Sequence, residues 1–427
     1  MNYIESVNWL ENRNIPLGEF TLKNIKALLE IFNKPQDKLE IIHITGTNGK
    51  GSVASFIANA LIENDYNVGK FTSPYITNIR EEIEINGEEI SEKDFSNIAS
   101  EVRIKVEELD KKKIFVSGFE ILTAISYIYF ARKKVDFAVM EVGMGGRVDA
   151  TNVMEKSIPV FCHIALDHAN ILGDTLEKIA REKGGIIKEN SKVFSYPQAD
   201  EAREELKKIS KEKSSTFNEF SLDEVKIISS NEFGNKFDFR DHKDVEISLI
   251  GEHQALNAAL ALMILDSLRD KYNLDEEKIK LGFIKAENIG RTECLSREPL
   301  IIVDGSHNLD SIEKIEESVK KFNYNKLILG FSLLKDKDHA SILRKIENIA
   351  DKIVLTEIDN ERFTDLDSLE KEFKSFSNKE IYAIKKREEA VEKTLELAED
   401  GDMLLWCGSL YLIKDIRKIL LEKINKN

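Results

Sequence analysis

Residues 41–52 read IIHITGTNGKGS, an apolar run that passes straight into a glycine loop carrying Lys50 and Ser52. Glycines let successive backbone N–H groups turn toward an anion, and a lysine at a helix start adds positive charge. The loop Thr47-Asn48-Gly49-Lys50-Gly51-Ser52 therefore reads as a cradle for a nucleoside triphosphate, with Lys50 on the terminal phosphates and Ser52 on Mg²⁺, directly or through water. It departs from the common phosphate-loop spacing. That pattern needs a glycine at position 44, where Ile44 stands, and here Gly51 separates Lys50 from Ser52.

A second constellation, EVGMGGRVDATN at 141–152, begins where another apolar run ends. Glu141 at the end of a buried strand is a natural Mg²⁺ ligand, and the glycines let the backbone pass close to phosphate. A third group, ALDH at 165–168, also follows a strand-like run. A lone histidine is more often a satisfied core residue, but His168 stands after its strand as Glu141 does, which suggests convergence on one metal. Lys183, in REKGG at 181–185, lies on a predicted helix and by itself reads as solvent-facing. Further on, LIIV at 300–303 delivers DGSHN at 304–308. Asp304 and His307 suit ribose or phosphate contacts there, with a helix cap and a loop histidine as the plainer alternative. Arg291 is placed to reach a phosphate from an inter-domain segment, although most linker arginines do no such thing.

The elements that must hold these groups are short β-branched runs alternating with longer amphipathic stretches, the pattern of a largely parallel sheet with crossover helices. Expected strands are 41–45, 68–72, 135–142 and 159–165, with helices at 50–63 and 119–133. From about 199 to 248 a charged helix gives way to alternating, turn-rich strands at 236–240 and 245–250, expected as an antiparallel appendage to the main sheet. A helix at 252–269 follows. Residues 288–298 show no apolar periodicity, so the boundary is placed there, giving domains 1–290 and 291–427 with that segment as a hinge for closure over a ligand. The second domain restarts the alternation, with strands at 300–303, 326–330, 352–356 and 403–407 and helices at 309–321, 340–349, 388–398 and 410–421. The fold class is α/β: a large, mostly parallel sheet of phosphate-loop type, then a smaller Rossmann-like domain.

A length of 427 residues implies more than one domain, and a 42% hydrophobic fraction supplies a sizeable core. The net charge of -15 argues against nucleic acid or an anionic membrane as partner. Cys162, Cys294 and Cys407 are far apart and lack metal-ligand spacing, consistent with a reducing cytoplasm. No cationic leader precedes an apolar stretch, and no run of eighteen uncharged apolar residues occurs, so an unexported chain is expected.

Taken together, TGTNGKGS at 45–52, FTSPYI at 71–76, EVGMGGRVDATN at 141–152, ALDHANILGDTLEKIAREKGGIIK at 165–188, GEHQALNAALAL at 251–262, GRTE at 290–293, DGSHN at 304–308 and GSLYL at 408–412 resemble one family. It is the folylpolyglutamate and dihydrofolate synthases, relatives of the Mur peptidoglycan ligases. The pieces span nearly the whole chain in order, and the unusual loop is the family's own form. The resemblance implies that ATP phosphorylates a substrate carboxylate and that L-glutamate attacks the acyl phosphate, with folate or dihydropteroate as acceptor in a monomeric enzyme. It also implies two Mg²⁺ ions, with Ser73, Glu141 and His168 on one and Ser52 on the ATP-associated ion. Asn257, Arg291, Asp304 and His307 match nucleotide-binding positions. Lys183 matches a lysine that the family carbamylates into a metal ligand. Arg80, Glu82 and Asp149 are the expected substrate contacts. One departure stands out: the family arginine near folate is replaced by Glu82 in REEI at 80–83, so repulsion of an anionic tail is expected unless Arg80 takes over. Competing readings are a Mur-type ligase on a UDP-linked muramyl peptide, for which no uridine-binding domain fits before a loop that begins by residue 45, and a phosphotransferase or ATPase without amide product.

Overall fold

The computed structural model describes residues 1–13, 15, 21–335, 337–359 and 363–424. The chain divides into two compact units, Met1–Lys226 with Phe239–Val245 and Leu256–Ala286, and Ile227–Asp238 with Glu246–Ala255 and Glu287–Asn427.

In the first unit, β1 (Glu40–Thr45), β2 (Val68–Phe71), β3 (Ile83–Ile85), β4 (Glu88–Glu89), β5 (Phe137–Glu141), β6 (Ile158–Phe161), β7 (Lys192–Ser195) and β8 (Thr216–Glu219) form one sheet in the order β4-β3-β2-β5-β1-β6-β7-β8. Pairing is parallel from β2 to β8, and only β3 and β4 run antiparallel at the edge. Parallel strands are covered on both faces, which explains why FAVME in β5 is buried throughout. β1 lies between β5 and β6, while its own crossover helix, Lys50–Glu63, leads away to β2. Chain direction therefore reverses around β1, and ligands in open α/β sheets sit at the carboxyl ends of strands at such a switch point. The register sets Ile44 beside Glu141 and Thr45 beside Phe161. Three loops that lie up to about 120 residues apart thus emerge side by side.

In the second unit, β12 (Glu293–Arg297), β13 (Leu300–Val303), β14 (Leu327–Phe331), β15 (Lys352–Leu355), β16 (Glu380–Ala383) and β17 (Met403–Cys407) take the order β12-β13-β17-β14-β15-β16, and β9 (Val225–Asn231), β10 (Gly234–Phe239) and β11 (His242–Ile247) form a separate sheet. The latter three are joined by two-residue connections, which only antiparallel neighbours allow. They are a sheet of their own, not an extension of the main sheet, and the strand expected at 245–250 lies at His242–Ile247.

Further differences follow from local chemistry. The segment without apolar periodicity holds β12, an edge strand paired antiparallel with β13; ECLSR is nowhere fully buried, so it has no apolar run to detect. Helix Leu366–Lys374 and the half-exposed β16 also escape the sequence reading. The strand expected to continue to residue 165 ends at Phe161. Among the described residues no helix is long and apolar enough to cross a membrane.

Gly408, which follows β17, has φ +119°, and a Cβ there would lie 1.8 Å from the Ser332 carbonyl oxygen. Gly408→Ala is expected to cost about 2–3 kcal/mol, because the obstacle is backbone and cannot swing aside. Chemical denaturation monitored by Trp406 fluorescence checks this; an unchanged midpoint contradicts it.

Candidate active site

Helix Lys50–Glu63 opens without a side-chain cap and with no acidic residue in its first turn; Gly49 at the N-cap has φ +92°. Its positive dipole end therefore meets no acidic side chain of its own first turn and suits an anion. A Cβ on Gly49 would lie 2.6 Å from Asn257 Oδ1, so only glycine lets the loop pass this close to Asn257. The loop is pinned from below by the β6 exit. Thr47 N and Asn48 N donate to the His163 carbonyl at 2.8 and 3.2 Å, and Thr47 Oγ1 donates to the Ala165 carbonyl at 3.0 Å.

Lys50 Nζ reaches back to the Gly46 and Thr47 carbonyls, both at 3.3 Å, and stands 3.8 Å from Glu141 Oε1. Ser52 is 2% and Glu141 5% exposed. A buried carboxylate needs a cation, and hydroxyl and carboxylate oxygens are the hard donors that Mg²⁺ prefers, so Ser52 and Glu141 fit that ion. Among the described residues no group of three or more His, Cys, Asp or Glu could hold a metal by itself.

Lys183 is the largest correction to the sequence reading. Instead of facing solvent it is 3% exposed, and its Nζ donates to the Gly46 carbonyl at 2.8 Å. Burial, reinforced by the charge of Lys50, pulls its pKa down to about 7. Two glycines create this position. A Cβ on Gly185 would meet Arg147 Cα at 2.4 Å and one on Gly146 would meet the Lys183 carbonyl at 2.7 Å, so helix Leu176–Gly184 packs directly on the 143–152 loop. Arg147 N donates to the Glu182 carbonyl at 2.8 Å across the same seam.

Asp149 is turned into its own loop. Oδ2 accepts from Met144 N at 2.9 Å, and Oδ1 from Thr151 N and Oγ1 at 2.9 and 2.5 Å. Because Thr151 Oγ1 donates to Asp149, it accepts from His43 Nε2 at 2.8 Å, which sets the His43 tautomer. Burial lowers His43 to about 3, so the ring is neutral. His168 is exposed and opens helix Ala169–Leu172 with φ +52°.

The β2 exit carries Ser73. Glu82 is buried, with Oε1 accepting from Tyr75 N at 2.9 Å, and burial raises its pKa to about 8. At neutral pH it is mostly uncharged, which removes the repulsion expected of it. The Arg80 guanidinium lies 3.2 Å from Glu89 Oε2 and 5.6 Å from the Tyr3 ring centre, and donates to the Ile90 carbonyl at 3.3 Å.

In the second unit, Asp304 braces the turn that precedes β12. Oδ2 accepts from Thr292 N and Oγ1 at 2.6 and 2.9 Å, and Oδ1 from Ser306 N at 2.6 Å. Asn308, not Asp304, caps helix Leu309–Val319. His307 Nδ1 lies 2.8 Å from the Gly305 carbonyl, so Nδ1 carries the proton. Arg291 N donates to the Asn288 carbonyl at 3.1 Å, and its Nη1 lies 3.4 Å from where a Gly305 Cβ would stand, so Arg291 and the DGSHN loop are neighbours. Thr292 in GRTE and Glu81 in REEI have no role of their own in the sequence reading; Thr292 acts on the Asp304 carboxylate and Glu81 on the backbone of Ile76 and Thr77.

Residues 44–265 match the Mur ligase middle domain family and residues 290–410 the Mur ligase glutamate ligase domain family. The dihydrofolate synthase/folylpolyglutamate synthase of Bacillus subtilis (strain 168) is 35% identical over 98% of this chain and 99% of its own. This chain belongs to the folylpolyglutamate synthase/dihydrofolate synthase family. Solved structures of that family superpose closely. Mycobacterium tuberculosis folylpolyglutamate synthase complexed with ADP has a TM-score of 0.89 at 27% identity, covering 98% of each chain. Thermotoga maritima folylpolyglutamate synthase has a TM-score of 0.83 at 34% identity, over 98% of this chain and 96% of that one.

Proposed function

We propose that this folylpolyglutamate synthase/dihydrofolate synthase family member joins L-glutamate to the γ-carboxylate of a folate, at the expense of ATP, and also joins glutamate to dihydropteroate. The observation that carries the reading is that Lys50, beside Glu141, and Lys183 both reach the Gly46 carbonyl just past the carboxyl end of β1. A carboxylate is a poor electrophile until one oxygen becomes a good leaving group. Transfer of the γ-phosphoryl group to that oxygen yields an acyl phosphate and ADP. The glutamate amine then attacks the carbonyl carbon, loses a proton and expels inorganic phosphate. Lys50 and the open helix N-terminus lower the repulsion between the triphosphate and the incoming carboxylate.

Thr47, Asn48, Gly49, Gly51 and Asn257 serve the nucleotide's phosphates, Arg291 a phosphate, and Asp304 and His307 its ribose or phosphate. Ser52 would hold the ATP-associated Mg²⁺, and Ser73, Glu141, His168 and carbamylated Lys183 would hold a second. The ions supply charge neutralisation when bound. The carbamate forms when the neutral Lys183 amine attacks CO₂ and releases one proton; a lysine near 7 keeps that form abundant at neutral pH. The enzyme acts as a cytoplasmic monomer.

The test is incubation with ATP, Mg²⁺, labelled glutamate and either tetrahydrofolate or dihydropteroate. Labelled amide product with stoichiometric ADP is expected from both. ADP release independent of both acceptors would sink the ligase assignment.

A further inference from the structure

Glu82 holds the β2 exit at two points. Its backbone carbonyl accepts from Thr72 N at 3.2 Å, and its side-chain Oε1 accepts from Tyr75 N at 2.9 Å. Ser73 and Pro74 are the residues between those anchors. The neighbouring Glu81 takes the next N–H groups, with Oε1 accepting from Ile76 N and from Thr77 N, the latter at 3.0 Å. Successive N–H groups of this kind form a nest for an anion, and here the chain's own carboxyls fill it. Purely structural bracing leaves buried polar atoms satisfied. Glu82 Oε2, however, is buried without a hydrogen-bond partner among the described residues. β2 pairs in parallel with β5, Phe71 beside Met140, so the bracket lies at the end of the sheet where Glu141 emerges.

We propose that Glu82 is a positioning residue that fixes Ser73 for the metal ion and the acceptor substrate by bracketing the 72–75 turn. This rests on the ligase reading for the role of Ser73. It also gives the replaced family arginine a successor of different purpose: the carboxyl organises the loop instead of touching an anionic tail.

The test compares the full-length protein with Glu82→Ala and Glu82→Gln. Mn²⁺ affinity is read by electron paramagnetic resonance in the presence of ADP, alongside thermal midpoints and separate KM values for ATP and the acceptor. Glu82→Ala is expected to weaken Mn²⁺ binding and raise the acceptor KM by about tenfold each, equivalent to about 1.4 kcal/mol, with the ATP KM within about twofold. Glu82→Gln, whose amide oxygen still accepts from Tyr75 N, is expected to recover most of both losses. Unchanged Mn²⁺ affinity and acceptor KM in the alanine variant overturn the proposal. So does a uniform decline of every parameter with the thermal midpoint, or a glutamine variant as impaired as alanine. If the wild type makes no amide product yet Mn²⁺ affinity still responds to Glu82, the ligase reading fails and the bracket stands; an active wild type with an indifferent alanine variant gives the reverse.

Discussion

Lys50→Ala abolishes amide formation, with kcat/KM falling by at least about 10³-fold, equivalent to about 4 kcal/mol of lost transition-state stabilisation. The size follows from position. Lys50 Nζ is held between two loop carbonyls and the buried Glu141 carboxylate. A cation held in a protected site acts through a lower effective dielectric than one in water, and alanine leaves Glu141 buried beside an arriving triphosphate. Labelled glutamate incorporation, with circular dichroism to establish folding, checks the result. Near-normal turnover in a folded variant removes the phosphate-cradle argument.

Lys183→Ala loses activity by about 10²–10³-fold, and high concentrations of acetate or another small carboxylate restore part of it. The residue is enclosed under Gly46, so truncation leaves room where a small anion can stand in for the carbamate. Two measurements separate this from simple loss of packing. In wild-type protein equilibrated with ¹³C-bicarbonate, a carbamate carbonyl resonance is expected and the variant lacks it. Rescue also saturates with the carboxylate but not with chloride at equal ionic strength. Full activity of the variant, or wild-type activity without any carbamate signal, contradicts the role given to Lys183.

The pH response has a definite sign. A lysine whose folded pKa lies near 7 instead of its ordinary 10.5 binds fewer protons than in the unfolded chain between those values. Unmodified Lys183 therefore withdraws stability fully below about pH 7, and that loss is recovered as pH rises toward 10.5. The denaturation midpoint of CO₂-depleted protein is expected to rise with pH across that window more steeply than that of Lys183→Ala; identical slopes count against a buried lysine of lowered pKa.

Local chemistry was enough to locate the glycine loop, its strand and its helix. A buried parallel strand needs a continuous apolar run, and a phosphate loop needs glycines ahead of a helix, so IIHITGTNGKGS carries its structure within twelve residues; helix Lys50–Glu63 ends where its periodicity does. The same locality found β13 and β17 to the residue. Half-exposed edge strands such as β12 and β16 leave no such trace, because their stability comes from a partner strand that the segment does not encode.

What only the tertiary structure decided is which groups meet. Lys183 sits on a helix whose own pattern says nothing about the Gly46 carbonyl 137 positions away; the contact exists because β1 is inserted between β5 and β6 and because Gly146 and Gly185 admit a close packing. Glu82 likewise changed from a charge in the wrong place to a buried brace once its partners at Thr72 and Tyr75 were visible. Residue types and local spacing determined the chemistry on offer in this protein. Strand order and burial determined where each charge stands and whether it is a charge at all, because both depend on contacts between segments far apart in the chain.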